Sequence, residues 1–314
     1  MGNGGIPGYY QSFAQNSINY NQNISTKINK PVLGTAQLGQ VYGITNKEGL
    51  LTKKQSMEIL ETAWNKNIRI FDTAPSYYSE KIIGDFVKTN GLEKEITILT
   101  KISPVPILSD WKKHIIDSIN NSILNLKCEA IDVLFFHNAE NSVILSQYPD
   151  EFIEILKQFP INKIGVSVYE ESEIDYFKNF NSFDIAFQFP YNIFDQRFTN
   201  NSIKEGNRYA RSIFLQGIIT SNKKLKNPIP YGLKKLHKAV HKYFQKHNIN
   251  PLEYALQYIA NSNQIDYYLF GVDNKNQLEE IMNIDLNNYH GTDSDFERVI
   301  QLIDKTWLDP RKWS

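Results

Sequence analysis

From residue 31 onward the chain alternates between short runs rich in β-branched and aromatic residues and longer stretches with apolar positions at helical spacing. The short runs predict strands at 31–36 (PVLGTA), 68–72 (IRIFD), 96–101 (ITILTK), 131–137 (IDVLFFH), 163–168 (KIGVSV), 184–189 (DIAFQF), 209–214 (YARSIF) and 266–272 (DYYLFGV). The longer stretches predict helices over 53–65, 110–126, 148–159, 170–179, 231–247, 251–261 and 275–283. Residues 53–65 turn Met57, Ile59, Leu60 and Ala63 to one side. Residues 110–126 open on a Ser109-Asp110 capping signal and space Trp111, Ile115, Ile119, Ile123 and Leu126 along one face. Strands that alternate with helices imply a parallel sheet buried on both faces. Eight strands close into a (β/α)8 barrel. The rival, an open doubly wound sheet, demands a Gly-rich phosphate loop after an early strand, and residues 36–49 contain no G-x-G-x-x-G. The expected fold class is therefore α/β, a (β/α)8 TIM barrel over residues 30–314 with a C-terminal tail. Residues 1–29 are rich in Asn, Gly, Ser and Tyr without periodicity, and are expected to form a flexible or loosely docked N-terminal extension.

Composition narrows the function classes. The 314 residues carry 34 basic and 34 acidic side chains, so nothing electrostatic favours nucleic acid or an anionic membrane surface. No apolar run approaches the roughly 18 residues of a spanning helix. The opening MGNGGIPGYYQ lacks the blocks of a secretory signal, and Ile6 stands where a myristoylation site wants Ser or Thr. The lone Cys128 excludes an internal disulfide and a cysteine-rich metal site, which points to a reducing cytoplasm.

The chemistry gathers at the predicted strand ends, where a barrel keeps its active site. Strand two ends at Asp72, strand three at Lys101 and strand four at His137, and a tyrosine, Tyr77 or its neighbour Tyr78, follows Asp72 in the loop FDTAPSYYSEKIIG. An ordinary phenol, with a pKa of about 10, is a poor proton donor at neutral pH. A nearby ammonium stabilises phenolate and would lower that value; Asp72 would hold Lys101 in place, and His137 would orient the substrate oxygen or share the proton. Such a hydroxyl protonates an alkoxide as it forms from a carbonyl. No side chain supplies hydride, so a nicotinamide cofactor is implied.

Eight stretches carry a wider likeness: LGTAQLGQVYGI, FDTAPSYYSEKIIG, LTK, IDVLFFHNAE, IGVSVY, QFPYNIFDQR, FLQGII and FGVDNKNQLEEI. In their order and spacing the chain resembles the aldo-keto reductase family over most of 31–306. The resemblance implies a (β/α)8 barrel, a reduced nicotinamide cofactor and a tetrad falling on Asp72, Tyr77, Lys101 and His137. The interval from Asp72 to the family's tyrosine selects Tyr77. Where the family usually reads Tyr-Gly-x-Ser-Glu, this chain reads Tyr77-Tyr78-Ser79-Glu80. The turn is one residue shorter and lacks its glycine, which leaves Tyr78 as a rival.

The resemblance also implies a cofactor cradle. Thr35 and Gly217 lie in matched stretches. Ser167 keeps the first residue of the Ser-Asn pair that holds the carboxamide, with Val168 in place of the second, and Gln188 matches the amide-reading glutamine. Arg211 stands where many members stack a tyrosine on the nicotinamide. It is expected to turn to a phosphate, or Phe214 to do the stacking. At the end of strand eight, Asp273, Asn274 and Lys275 replace the pair that clasps an adenosine 2′-phosphate, and Gln277 and Glu280 match adenine-contacting positions. NADP(H) is expected ahead of NAD(H). Substrate contacts are expected from Asn138, Glu140, Tyr191, the 218–230 segment and the tail, where Trp307 and Trp313 either lid the site or anchor the tail. The expected substrate is a polar, sugar-derived aldehyde or ketone. The alternatives are a cofactor-sensing binding protein, as in potassium-channel β-subunits, and a cofactor-retaining isomerase or epimerase.

Overall fold

A computed structural model describes residues 28–105, 110–142, 144, 147–177, 185–198, 203, 206–221, 230–287, 289, 291–301 and 304–313. Eight parallel strands close a barrel in sequence order: β1 (Lys30–Gly34), β2 (Ile70–Asp72), β3 (Thr97–Ile102), β4 (Ile131–Phe136), β5 (Ile161–Ser167), β6 (Ile185–Pro190), β7 (Asn207–Arg211) and β8 (Tyr267–Phe270). The helices are α1 (Ala36–Gly39), α2 (Lys53–Asn65), α3 (Glu80–Asn90), α4 (Trp111–Leu126), α5 (Pro149–Leu156), α6 (Tyr231–Lys246), α7 (Pro251–Ala260), α8 (Lys275–Met282) and α9 (Ser294–Gln301). No described helix is long and apolar enough to cross a membrane.

The side-chain period of two sorts each strand into an inner and an outer face. Val32, Leu99, Val133, Phe135, Ala186, Tyr209 and Leu269 fill the barrel. Leu33, Phe71, Ile98, Leu134, Phe136, Phe187 and Phe270 join the larger core beneath the helices. Inside, Tyr209 stacks on Tyr267 at 4.4 Å and meets Phe135 edge-on at 5.7 Å. Gly165 makes room for the Phe135 ring, which a Cβ there would approach within 2.5 Å. The same alternation, carried to the C-terminal strand ends, turns Asp72, Lys101, His137, Ser167, Gln188 and Arg211 toward the mouth.

Several local expectations change. The stretch 170–179 forms a 3-10 helix over Glu171–Phe177 and not an α-helix. Ser109 lies outside the described residues, and Asp110 occupies the N-cap of α4 without a side-chain bond. β7 stops at Arg211 because Ser212 turns left-handed, with φ 57. Most of the expected N-terminal extension lies outside the described residues. Asn29, however, is buried and donates to the carbonyls of Ile259 (3.1 Å) and Ser262 (2.7 Å), which docks the chain before β1 begins.

Candidate active site

The turn after β2 decides which tyrosine enters the barrel. Asp72 leads through Thr73 and Ala74 into a 3-10 turn, Pro75–Tyr77, which Tyr78 ends at φ 60, ψ 10. Glycine takes this left-handed conformation freely, while other residues pay about 1–2 kcal/mol. Three contacts hold it. Gly39 packs against the Tyr77 carbonyl so closely that a Cβ would come within 2.1 Å of the oxygen. The Ser79 hydroxyl lies 2.9 Å from those of both Thr35 and Thr73. Glu80, at the start of α3, accepts the Thr100 hydroxyl at 2.7 Å. Tyr78 thus supplies the glycine's backbone shape itself. Its side chain is 74% exposed, while Tyr77 lines the cavity at the mouth. Tyr78→Phe is expected to leave turnover unchanged. Progress curves for the two proteins should superimpose, and a loss as large as that of a Tyr77 variant would reverse the assignment.

Around Tyr77 the groups are tightly ordered. Lys101 Nζ donates to both Asp72 carboxylate oxygens, at 2.9 and 2.8 Å, and to the Thr73 carbonyl at 2.8 Å. Gln188 Nε2 donates to Asp72 Oδ1 at 2.8 Å, so its amide nitrogen is committed to the acid. Lys101 Nζ sits 4.9 Å from the centre of the Tyr77 ring, and His137 meets that ring edge-on at 5.7 Å. His137 Nδ1 is buried without a partner.

The electrostatics correct the sequence expectation. Burial, reinforced by the Asp72 carboxylate, holds the Tyr77 phenol well above the usual tyrosine range, with Arg211 working the other way. Burial pulls Lys101 below its ordinary value, and the Asp72 carboxylate paired with it opposes. His137 is pushed down to about 3, chiefly by burial, then by the charges of Lys101 and Arg211. The resting site therefore holds a protonated phenol and a neutral imidazole.

A cavity of about 1160 Å³ joins this cluster to the N-terminus of α8. Thr35, Ser167, Gln188, Arg211, Phe214, Gly217, Asp273, Asn274, Gln277 and Glu280 all line it, as do the four tetrad positions. The residues present fit a nicotinamide dinucleotide. A helix N-terminus favours phosphate, and the Gln37 amide packs so close to Gly271 that a Cβ there would come within 2.2 Å of its oxygen. Lys275 is exposed and outside the lining, contrary to expectation, because Asn274 caps the helix and turns the next residue to solvent. Asn274 accepts Gln277 N–H at 3.0 Å and donates to Glu48 at 3.3 Å, while Gln277 Oε1 accepts Asp273 N–H at 2.8 Å. Burial raises the Asp273 carboxyl, Gln277 opposes and Glu48 adds to the rise.

Tyr191 is a second correction. Alternation past Gln188 sends it outward, where its hydroxyl meets those of Ser262 (3.0 Å) and Tyr258 (3.3 Å), so it is not at the mouth. Asn138, one step beyond inward-facing His137, is also absent from the lining. In the tail, Trp313 Nε1 donates to the Trp307 carbonyl at 3.0 Å, and both rings pack on the apolar cluster around Phe296. The Trp307 ring lies where a side chain on Gly232 would stand. The tail is thus anchored by packing, and Pro310 reaches the cavity.

Sequence reading missed Tyr42, Tyr169 and Arg311. Tyr42, in the GQVYGI stretch, is 40% exposed and lines the cavity near Tyr77. Tyr169 lies under two guanidinium groups, Arg211 at 3.9 Å and Arg311 at 3.5 Å. The loop after β1 also meets the loop after β7. Gln216 Oε1 accepts Ile44 N–H at 3.1 Å, Thr45 Oγ1 donates to the Gln216 carbonyl at 3.0 Å, and a Cβ on Gly217 would lie 2.0 Å from that hydroxyl. Leu215, Gln216 and Gly217 all have positive φ, the backbone shape this contact requires.

Comparison with known proteins shows the family and the fold. The family model described as "Aldo/keto reductase family" matches residues 32–304. A candidate voltage-gated potassium channel subunit beta of Schizosaccharomyces pombe is 28% identical over 127 residues, 37% of each chain. An aryl-alcohol dehydrogenase of Pestalotiopsis microspora is 23% identical over 156 residues, 46% of this chain and 40% of its own. The matched stretches thus span about two fifths of these relatives' length. Among solved structures, a glycerol dehydrogenase from Gluconobacter oxydans superposes with a TM-score of 0.66 at 18% identity, covering 88% of this chain and 92% of that one. An aldo-keto reductase from Bacillus halodurans in its holo form gives 0.68 at 17% identity, covering 90% and 96%. At such identities the structural likeness speaks for the fold alone.

Proposed function

The chain belongs to the aldo/keto reductase family, and on that premise we propose that it reduces a polar aldehyde or ketone to an alcohol, with Tyr77 as the proton donor. The observation that carries this reading is the Asp72–Lys101 pair set against the inward-facing phenol, with His137 edge-on to the same ring. When bound, a reduced nicotinamide supplies the hydride. Tyr77 holds the carbonyl oxygen and gives it a proton as negative charge develops there. Its phenol is protonated throughout the ordinary pH range, which suits a donor working in the direction of reduction. Neutral His137 hydrogen-bonds the same oxygen without competing for the proton. The Lys101–Asp72 pair, steadied by Gln188, fixes the floor beneath the ring. Incubating the protein with NADH or NADPH and a panel of aldehydes and keto-sugars tests this, through loss of reduced-nicotinamide absorbance.

One named relative supports a second reading, the cofactor-sensing protein, since it is described as a channel subunit. Tight cofactor binding with no turnover on any carbonyl would decide for it.

The family resemblance favours NADP(H), but the cavity beside α8 argues for NAD(H). Among the described residues Glu48, Asp273 and Glu280 line that end together with Lys47, and Lys275 is exposed and outside the lining. A 2′-phosphate there meets like charge, whereas a ribose diol donates to a carboxylate. NADH is expected to bind on the order of tenfold more tightly than NADPH, a difference of about 1.4 kcal/mol. Fluorescence titration of the two reduced cofactors measures it, and the opposite order would restore NADP(H).

A further inference from the structure

Arg211 ends β7 facing the mouth, half-buried, in the cavity wall that also holds Tyr77, Lys101 and His137. Its guanidinium lies 3.9 Å above the Tyr169 ring, and Nη2 donates to the Val168 carbonyl at 3.1 Å. Those contacts fix the plane of the group and use one of its five N–H donors. Among the described residues the others find no partner, and no carboxylate pairs with the charge.

The acids nearby are already engaged. Asp72 is closed on Lys101. Asp195 and Glu170 are held by Arg197, at 2.8 and 3.2 Å. Asp309 is held by Arg311 at 2.8 Å. Glu173 accepts the N–H groups of Tyr169 and Glu170. With the Asp72–Lys101 pair self-compensated, Arg211 supplies the net charge of this wall. A planar guanidinium with an open edge, held rigid beside a reacting centre, matches a carboxylate better than any neutral group.

We propose that the substrate is an anion, a carboxylated aldehyde or ketone whose carboxylate is received by Arg211 while its carbonyl oxygen meets Tyr77 and His137. The inference rests on the reductase reading and narrows its substrate class. Arg211 is here a specificity determinant, in place of the cofactor role that the resemblance suggests.

Matched pairs test it: glyoxylate against glycolaldehyde, succinic semialdehyde against butyraldehyde, glucuronate against glucose. The carboxylated member of a pair is expected to show the higher kcat/KM. Arg211→Met should lower the acid-to-neutral ratio by about 10–100-fold, the range of a charge-assisted hydrogen bond. Arg211→Lys, which keeps the charge, should recover part of it. Two further measurements separate this idea from the reading beneath it. Oxalate and malonate should raise the melting temperature of the wild type and not of Arg211→Met, whether or not any carbonyl is reduced. The Kd of the reduced cofactor, by fluorescence titration, should change far less than the ratio. Equal reduction of acid and neutral members, a ratio untouched by Arg211→Met, or an equally large loss of cofactor affinity would overturn the proposal. If no carbonyl is reduced at all while oxalate still binds through Arg211, the reductase reading fails and the anion site stands.

Discussion

Replacing Tyr77 with phenylalanine is expected to slow carbonyl reduction on the order of 10²–10⁴-fold while leaving cofactor affinity in place. The variant removes one oxygen and little else. The ring keeps its edge contact with His137 and its place beside Lys101, and the turn that aims it depends on Gly39, Ser79 and Glu80. The loss should therefore appear in kcat, with thermal stability and fluorescence-measured cofactor Kd close to wild type. The titration of the phenol sharpens the test. Burial and Asp72 hold it well above the usual tyrosine value of about 10. The proton is thus present below that raised value and lost only above it, so reduction by the wild type should show no alkaline fall from pH 8 to about 10. A residual rate within tenfold of wild type in the Phe variant, measured in single turnover, would remove Tyr77 from proton transfer.

Lys101→Met carries the second large effect, on stability as well as rate. The ammonium is 1% exposed and its three short bonds all go to Asp72 and Thr73. Breaking a buried pair by removing one partner strands the other charge and costs about 3–5 kcal/mol. Denaturant unfolding should show that loss. The double variant Asp72→Asn, Lys101→Met removes both charges together, so it should recover much of the stability and none of the activity. If the single variant unfolds at the wild-type midpoint, the pair is not the keystone of this floor.

The barrel was legible because its strands are buried on both faces and so appear as compact apolar runs, from PVLG to YYLF. That Asp72, Tyr77, Lys101 and His137 meet at one mouth was legible because strand ends and the spacing from Asp72 to Tyr77 locate them in one dimension. What did not carry over was three-dimensional. The reading gave Tyr77 a lowered pKa because it counted the ammonium and not the burial, nor the carboxylate already paired with that ammonium. It sent Tyr191 to the mouth by counting along the loop and not by strand alternation, which turns it outward. The missing glycine after Tyr77 leaves Tyr78 as a rival in the sequence, although Tyr78 takes the left-handed backbone itself and its ring is exposed. The stack of Arg211 and Arg311 on Tyr169 joins residues distant in sequence, and no local pattern announces it.

The contact between Thr45 and Gln216 has a kinetic consequence. β8 stands between β7 and β1 in the barrel, so the two loops meet above its end and roof that part of the cavity. For a ligand lodged beneath, release of the two bonds to Gln216 would widen the way out. Its dwell time would then depend on how readily that arch opens as well as on its own grip on the walls, and Thr45→Val, which removes one of the two bonds, is expected to shorten it.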